Sequence, residues 1–303
     1  MGTPQPIPYQ GSKRKLASCI LSFCPDIPER LVEPFAGSAA VSIAAAMEGK
    51  AYRFHLNDVN KPLMGLWAEI INQPLRLADA YEKLWNQQIG NERQFYDEVR
   101  NRFNRTARPE LLLYLLARCV KAAVRYNTDG EFNQSPDNRR KGRQPENMRQ
   151  DIIAVSNLFR DRTRLSSVDY RSILRNVSRK DLVYLDPPYQ GVSGRHHGRY
   201  SSGVASPELI RALSDLVKHR TSFILSYDGR TGKKVYGDGL PKKLGLYHIE
   251  VKAGRSAQST LLDEREVTYE SVYLSKPLLK QLRLPVDEIV GKLSSKYSVV
   301  VRC

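Results

Sequence analysis

The stretch Arg30-Leu31-Val32-Glu33-Pro34-Phe35-Ala36-Gly37-Ser38-Ala39 decides the fold. Arg30 to Phe35 reads as a short strand. It runs into a turn of small residues, and Ala40 to Met47 continues as a helix. Ala51 to Leu56 reads as a second strand, ending in Asn57-Asp58-Val59-Asn60. Strand, tight turn, helix and strand in that order form a parallel-sheet unit. A small-residue turn there lets a ligand approach the backbone and the helix N-terminus. An acidic residue about 20 positions further on, at the end of the next strand, suits the hydroxyl pair of a ribose. Asp58 stands 21 positions after Gly37. A structural turn beside an exposed Asp would give the same pattern. The turn lacks the three glycines of a dinucleotide site, and Glu33 just before it would repel a pyrophosphate. A carboxylate in that place suits a cation, which favours S-adenosylmethionine (sulfonium, ammonium, ribose, no phosphate) over NAD.

Outward from this unit the character changes. Leu63 to Trp85, Arg93 to Asn104 and Pro109 to Tyr126 read as three helices, with Leu112, Leu115, Leu116, Cys119 and Ala123 at helical spacing. Asn127 to Asn147 is polar, rich in Gly, Pro, Asn and Arg, and long for a simple connection. Asn147 to Phe159 is helical again. Strands then return at Leu165 to Val168, Leu182 to Leu185, Ser222 to Ser226 and Val267 to Leu274, with a helix at Pro207 to Lys218. The expected architecture is one α/β domain made of residues 1–60 and 160–275. A helical insert occupies 61–159, and a basic tail of no legible role occupies 276–303.

Leu182-Val183-Tyr184-Leu185 delivers the tetrapeptide Asp186-Pro187-Pro188-Tyr189 to the carboxyl edge of the sheet, where open α/β folds bind ligands. Two prolines end the strand and stiffen the turn. Asp186 and the carbonyl of Pro187 can both accept hydrogen bonds from an exocyclic amine, orienting its lone pair towards an electrophilic methyl group. Tyr189 offers an aromatic face for a flat base. Such an array suits methylation of any exocyclic amine, so adenine N6 in DNA stands beside cytosine N4 and adenine in RNA. Outside enzymes, the alternative is a nucleic-acid-binding protein that keeps the fold without turnover.

Charge narrows the partner. The 303 residues include 48 Lys or Arg against 32 Asp or Glu, a formal net charge of +16. A surface this basic attracts polyanions by releasing counterions from phosphates. No amphipathic basic helix or apolar run of about 18 residues points to a membrane. Four scattered cysteines without CxxC spacing and five histidines without ligand spacing point away from a disulfide framework and a metal site. A cytoplasmic protein, associated with the nucleoid through DNA, is expected, and a monomer.

With these motifs in order, the chain resembles the Dam-type (D12, alpha-group) adenine-N6 DNA methyltransferases. Tyr9-Gln10-Gly11-Ser12-Lys13 stands where the family has an aromatic, Gly and Lys motif, and Glu33-Pro34-Phe35-Ala36-Gly37-Ser38-Ala39 matches its cofactor loop. Asp58 and Asp186-Pro187-Pro188-Tyr189 match the acidic and catalytic motifs. Arg125-Tyr126-Asn127 followed by Gly130-Glu131-Phe132-Asn133 looks like the signature of its target-recognition domain. The resemblance covers about Pro8 to Ser275. It implies a Rossmann-like, seven-stranded methyltransferase sheet and a helical target-recognition insert. It further implies a cofactor pocket bordered by Tyr9, Lys13, Glu33, Phe35, Gly37, Asp58 and Asp186. Two departures stand out. Ala39 replaces the second glycine of the loop, and Gln134-Ser135-Pro136-Asp137 differs from the version in GATC-reading relatives.

The implied reaction flips the target base out of the duplex. Tyr189 stacks on it, while Asp186 and Pro187 hold N6 for direct transfer, with no metal or covalent enzyme intermediate. Duplex DNA is the expected partner. The expected grip is Arg125, Asn127, Asn133, Arg139, Arg140, Lys141 and Arg143, where cations meet phosphates and amides reach base edges.

Overall fold

The computed structural model describes residues 2–188, 207–231, 234–236, 240–255 and 267–302. Helix α1 (Ala17–Leu21) precedes strand β1 (Arg30–Glu33), helix α2 (Ala40–Met47) and strand β2 (Phe54–Asn57). Helices α3 (Lys61–Asn72), α4 (Pro74–Gln87), α5 (Glu92–Thr106), α6 (Pro109–Arg118) and α7 (Pro145–Phe159) follow. Then come β3 (Thr163–Ser166), α8 (Tyr170–Leu174), β4 (Asp181–Leu185), α9 (Pro207–Lys218), β5 (Ser222–Thr231) and β6 (Lys234–Tyr236). The chain continues with β7 (Tyr247–Arg255), β8 (Val267–Leu274), α10 (Lys276–Gln281), α11 (Val286–Tyr297) and β9 (Val299–Arg302).

The strands form one sheet in the order β3-β2-β1-β4-β5-β8-β7-β9, with β6 hairpinned onto β5. The first five strands pair in parallel, whereas β8 runs antiparallel to both β5 and β7. The order reverses at β1, which lies between β2 and β4, so the ligand crevice is expected beyond the carboxyl ends of those strands. The expected seven strands are therefore present as β3-β2-β1-β4-β5-β8-β7. Two more are added: β6 pairs with the end of β5, and β9, which comes from the tail, extends the edge by pairing with β7 through Val299 to Arg302. The tail is thus part of the sheet.

The central strands β1, β2 and β4 are buried on both faces, as parallel strands are, whereas β3 is half-buried. Val32, Val183, Leu185 and Leu225 pack with Leu209 and Leu213 of α9. Their alternating neighbours Leu31, Leu182, Tyr184 and Ile224 join the larger core on the other face. That core runs on without a break into the insert: Phe159 of α7 packs on Phe54 of β2 and on Trp67 of α3. The single helix expected over Leu63 to Trp85 is broken at Gln73. Pro74 lacks an N–H and clashes with the carbonyl four residues back, so it starts a new helix as its first residue. The helix expected to run to Tyr126 ends at Arg118 in a turn in which Lys121 and Ala122 both take positive φ.

Candidate active site

The turn after β1 is built around Gly37, which has φ +48 and would place a Cβ 3.0 Å from the ring of Tyr9. Only glycine meets both demands without strain. Its N–H donates to Asp58 Oδ2 at 3.1 Å, and its carbonyl accepts from Trp67 Nε1 at 2.9 Å. Ala39 is fully buried at φ +46, a left-handed conformation that costs alanine roughly 1–2 kcal/mol. As the N-cap of α2 it has no side chain to offer. Glu33 takes over that task, accepting from Ser42 N at 2.6 Å.

Asp58 has both carboxylate oxygens engaged, Oδ2 with Gly37 and Oδ1 with Asn60 N at 2.9 Å. Those bonds use part of its acceptor capacity, since each oxygen carries two lone pairs. Asn57, which drew no attention in the sequence, ties three strand ends together. Its Nδ2 donates to the carbonyls of Pro34 and Val168, and its Oδ1 accepts from Ser166 Oγ and Val168 N. Phe35 meets the ring of Tyr170 with centroids 4.9 Å apart. Tyr170, at the start of α8 after β3, is a second site residue that sequence reasoning missed.

Lys13 and Asp186 meet at the centre of the crevice. Nζ lies 2.9 and 3.0 Å from the two carboxylate oxygens and also donates to Gly11 O. The side chains are 7% and 20% exposed. Burial raises the Asp186 carboxyl to about 6, with Lys13 pulling it back down. Burial works against the Lys13 ammonium, but Asp186 and Glu270 outweigh it, and its pKa ends above the ordinary lysine value. Burial also pushes Glu33 up to about 8 and raises Asp58. Glu270 on β8 acts electrostatically on both Lys13 and Asp186, and no motif in the sequence pointed to it. Pro187 is buried and Pro188 exposed, while Tyr189 lies outside the described residues.

The structure thus gathers Tyr9, Lys13, Glu33, Gly37, Asp58 and Asp186 at the carboxyl ends of β1, β2 and β4, with Phe35 half-buried beside them. Carboxyl groups outnumber cations there, and no cluster of cations is present among the described residues to hold a phosphate, which fits a phosphate-free cofactor.

The expected DNA grip is arranged differently. Arg125 and Asn133 are exposed. The Asn127 side chain accepts from the N–H groups of Asp129 and Glu131 and donates to Glu131 Oε2, so it builds its own turn. Gln134 donates to Val120 O. Arg139 forks onto Asp137, Arg140 Nε lies 3.8 Å from the same carboxylate, Lys141 pairs with Glu92 at 3.0 Å and Arg143 with Asp151 at 2.7 Å. The segment is a packed one, held by Tyr81 OH on Arg143 O and Gln88 Nε2 on Lys141 O. It reaches the crevice through Gln10 N, which donates to Ala122 O, and Tyr126 OH, which donates to Asn60 Oδ1.

The sheet order and the acidic crevice define a Rossmann-like methyltransferase fold. The chain belongs to the D12 class N6 adenine-specific DNA methyltransferase family, whose model matches residues 9–254. It is 25% identical over 270 residues to the modification methylase StsI of Streptococcus sanguinis, covering 84% of this chain and 40% of that protein. It is 26% identical over 191 residues to the type II methyltransferase M1.LlaDCHI of Lactococcus lactis subsp. cremoris, covering 60% and 64%. It is 27% identical over 195 residues to the retron Ec67 DNA adenine methylase of Escherichia coli, covering 62% and 65%. The matches therefore span between 40% and 65% of the length of these relatives.

Proposed function

We propose that this chain transfers the methyl group of S-adenosylmethionine to N6 of adenine in DNA. The observation that carries the reading is the Lys13–Asp186 pair beyond β4, in a crevice that also holds Glu33 and Asp58. The cofactor, when bound, supplies an electrophilic methyl on a sulfonium. Asp58 would take the ribose, and the Phe35–Tyr170 pair offers rings against its base. Asp186 supplies negative potential, while Glu33, raised to about 8 by burial, is mostly neutral near pH 7 and holds the turn through Ser42 N.

Asp186 and the Pro187 carbonyl then accept hydrogen bonds from the two N–H groups of the target amine, leaving its lone pair free to attack, and Asp186 is placed to take the N–H proton that methylation releases. Lys13 fixes the Asp186 carboxylate in orientation and favours its charged form. The contribution is mostly positioning and electrostatics. Because N6 is stacked and paired within a duplex, the base must be flipped into the crevice. Tyr189 is proposed to stack on it. Arg125, Asn127, Asn133 and the cations of 139–143 are proposed to face the DNA. Cytosine N4 and adenine in RNA are the competing acceptors.

Incubation with methyl-tritiated S-adenosylmethionine and either DNA or RNA tests the substrate class. Label in DNA is expected. Label confined to RNA, or to neither in the presence of bound cofactor, would contradict the reading.

A further inference from the structure

The edge of the sheet opposite the crevice carries a second charged feature. The starts of β3, β2, β1 and β4 lie side by side there and open a groove of about 710 Å³. Arg30, Arg53, Arg162, Arg164, Arg179 and Lys180 line it, against the two carboxylates of Glu29 and Asp181. Asp181 is already used: it forks onto Arg30 at 2.8 and 3.2 Å and accepts from Ser178 N. Arg179 donates to the carbonyl of His219 and has no ion-pair partner among the described residues. Arg162 is half-buried and lies over the exposed ring of Tyr52, 4.7 Å from its centroid. Arg53, Arg164 and Lys180 are exposed and have no ion-pair partner among the described residues.

This contrasts with segment 139–143, where each cation lies against a carboxylate: Arg139 and Arg140 share Asp137, Lys141 meets Glu92 and Arg143 meets Asp151. Adjacent strands lie about 4.8 Å apart, so four strand starts span roughly 14 Å. Duplex DNA presents one phosphate charge per ~1.7 Å of axis, or about eight over that length. We propose that this groove binds the phosphodiester backbone of a second DNA segment. The inference rests on DNA being the substrate at the front. One chain would then hold two duplexes at opposite ends of its parallel strands, joining distant sites or retaining the enzyme on DNA after turnover.

The test is capture of a fluorescent 30-base-pair duplex, through the protein, by an unlabelled duplex fixed to beads. The wild-type chain should capture it at low salt. The triple variant Arg53→Ser/Arg164→Ser/Lys180→Ser should lose capture by tenfold or more, and methyl transfer to a short duplex should stay within about twofold. The salt slope of second-duplex binding should fall by up to ~0.9 for each lost phosphate contact. Arg53→Glu, which reverses one exposed charge, should also lower capture, and this serves if the triple variant is unstable; unchanged capture by Arg53→Glu would count against the groove. Equal capture by wild type and triple variant would overturn the proposal, because bridging would then come from another surface. So would a groove that binds inorganic phosphate or a nucleotide but captures no duplex. If neither protein methylates DNA but capture still depends on the groove, the second site stands and the activity reading falls.

Discussion

Glu33, Asp58 and Asp186 are held at one end of the sheet and Arg139, Arg140, Lys141 and Arg143 on the helical insert, and the two groups are held by opposite means. The carboxylates are out of water, bonded to backbone N–H groups or to one buried lysine, and burial raises the pKa of each. Arg139, Arg140 and Lys141 stand largely in water, Arg143 is half-buried, and all four are paired with carboxylates of the same chain. Buried carboxyl groups of the first kind are sensitive to every partner they lose. Exposed pairs of the second kind are worth ~0–1 kcal/mol and exchange partners readily, including for phosphate. The first arrangement suits chemistry, and the second suits adjustable contact with a polyanion.

Removing the acceptor at the crevice should have the largest effect. Asp186→Ala should lower turnover by at least ~10²–10³-fold at saturating cofactor, as loss of one positioned transition-state partner does. Near-normal single-turnover rates would break the comparison. Asp58→Ala comes next. It leaves the N–H groups of Gly37 and Asn60 without their acceptor, so it should cost stability of ~1–3 kcal/mol as well as cofactor affinity. Thermal unfolding read beside cofactor titration checks both, and a loss of affinity without any loss of stability would deny Asp58 its place in the turn.

The pH profile sharpens the contrast. The Asp186 carboxylate is the form that accepts the amine, and its pKa is about 6. Protonation therefore removes activity: kcat/KM should fall about tenfold per pH unit below 6 and level off above it. Lys13 lowers the pKa of Asp186, so Lys13→Met should move that acid limb to higher pH. A limb that stays in place would separate the two residues. The smallest effect belongs to the exposed group. Neutralising Arg139, Arg140, Lys141 and Arg143 together should weaken DNA binding and flatten its salt slope by less than the ~0.9 per contact expected of free cations, because each has a carboxylate partner to give up first. An unchanged slope would remove the segment from the DNA-facing surface.

The β1–turn–α2 unit was legible because its signals are local: an apolar strand, a small-residue turn and an alanine-rich helix. β8 and α9 were read to their observed bounds from alternation and helical period. β3 was placed two residues late, and β5 runs on beyond Ser226 to Thr231. β7 was missed because Tyr247 to Arg255 mixes charged and small residues, and its pairing with β8 and β9 is what makes it a strand. β9 was hidden for the same reason. At the crevice the sequence supplied residues that sit in motifs, such as Lys13, Gly37 and Asp186. It did not supply Glu270 or Trp67, which reach the crevice only through the packing of β8 and α3. Nor could it show that Arg143 and Lys141 face Asp151 and Glu92, since those contacts depend on how α4, α5 and α7 pack.

The identity of the methylated base bears most directly on the central claim. DNA incubated with the protein and S-adenosylmethionine, digested to nucleosides and examined by mass spectrometry, should yield N6-methyladenine from the wild-type chain and none from Asp186→Ala. N4-methylcytosine in its place, or N6-methyladenine formed equally by the variant, would contradict the account.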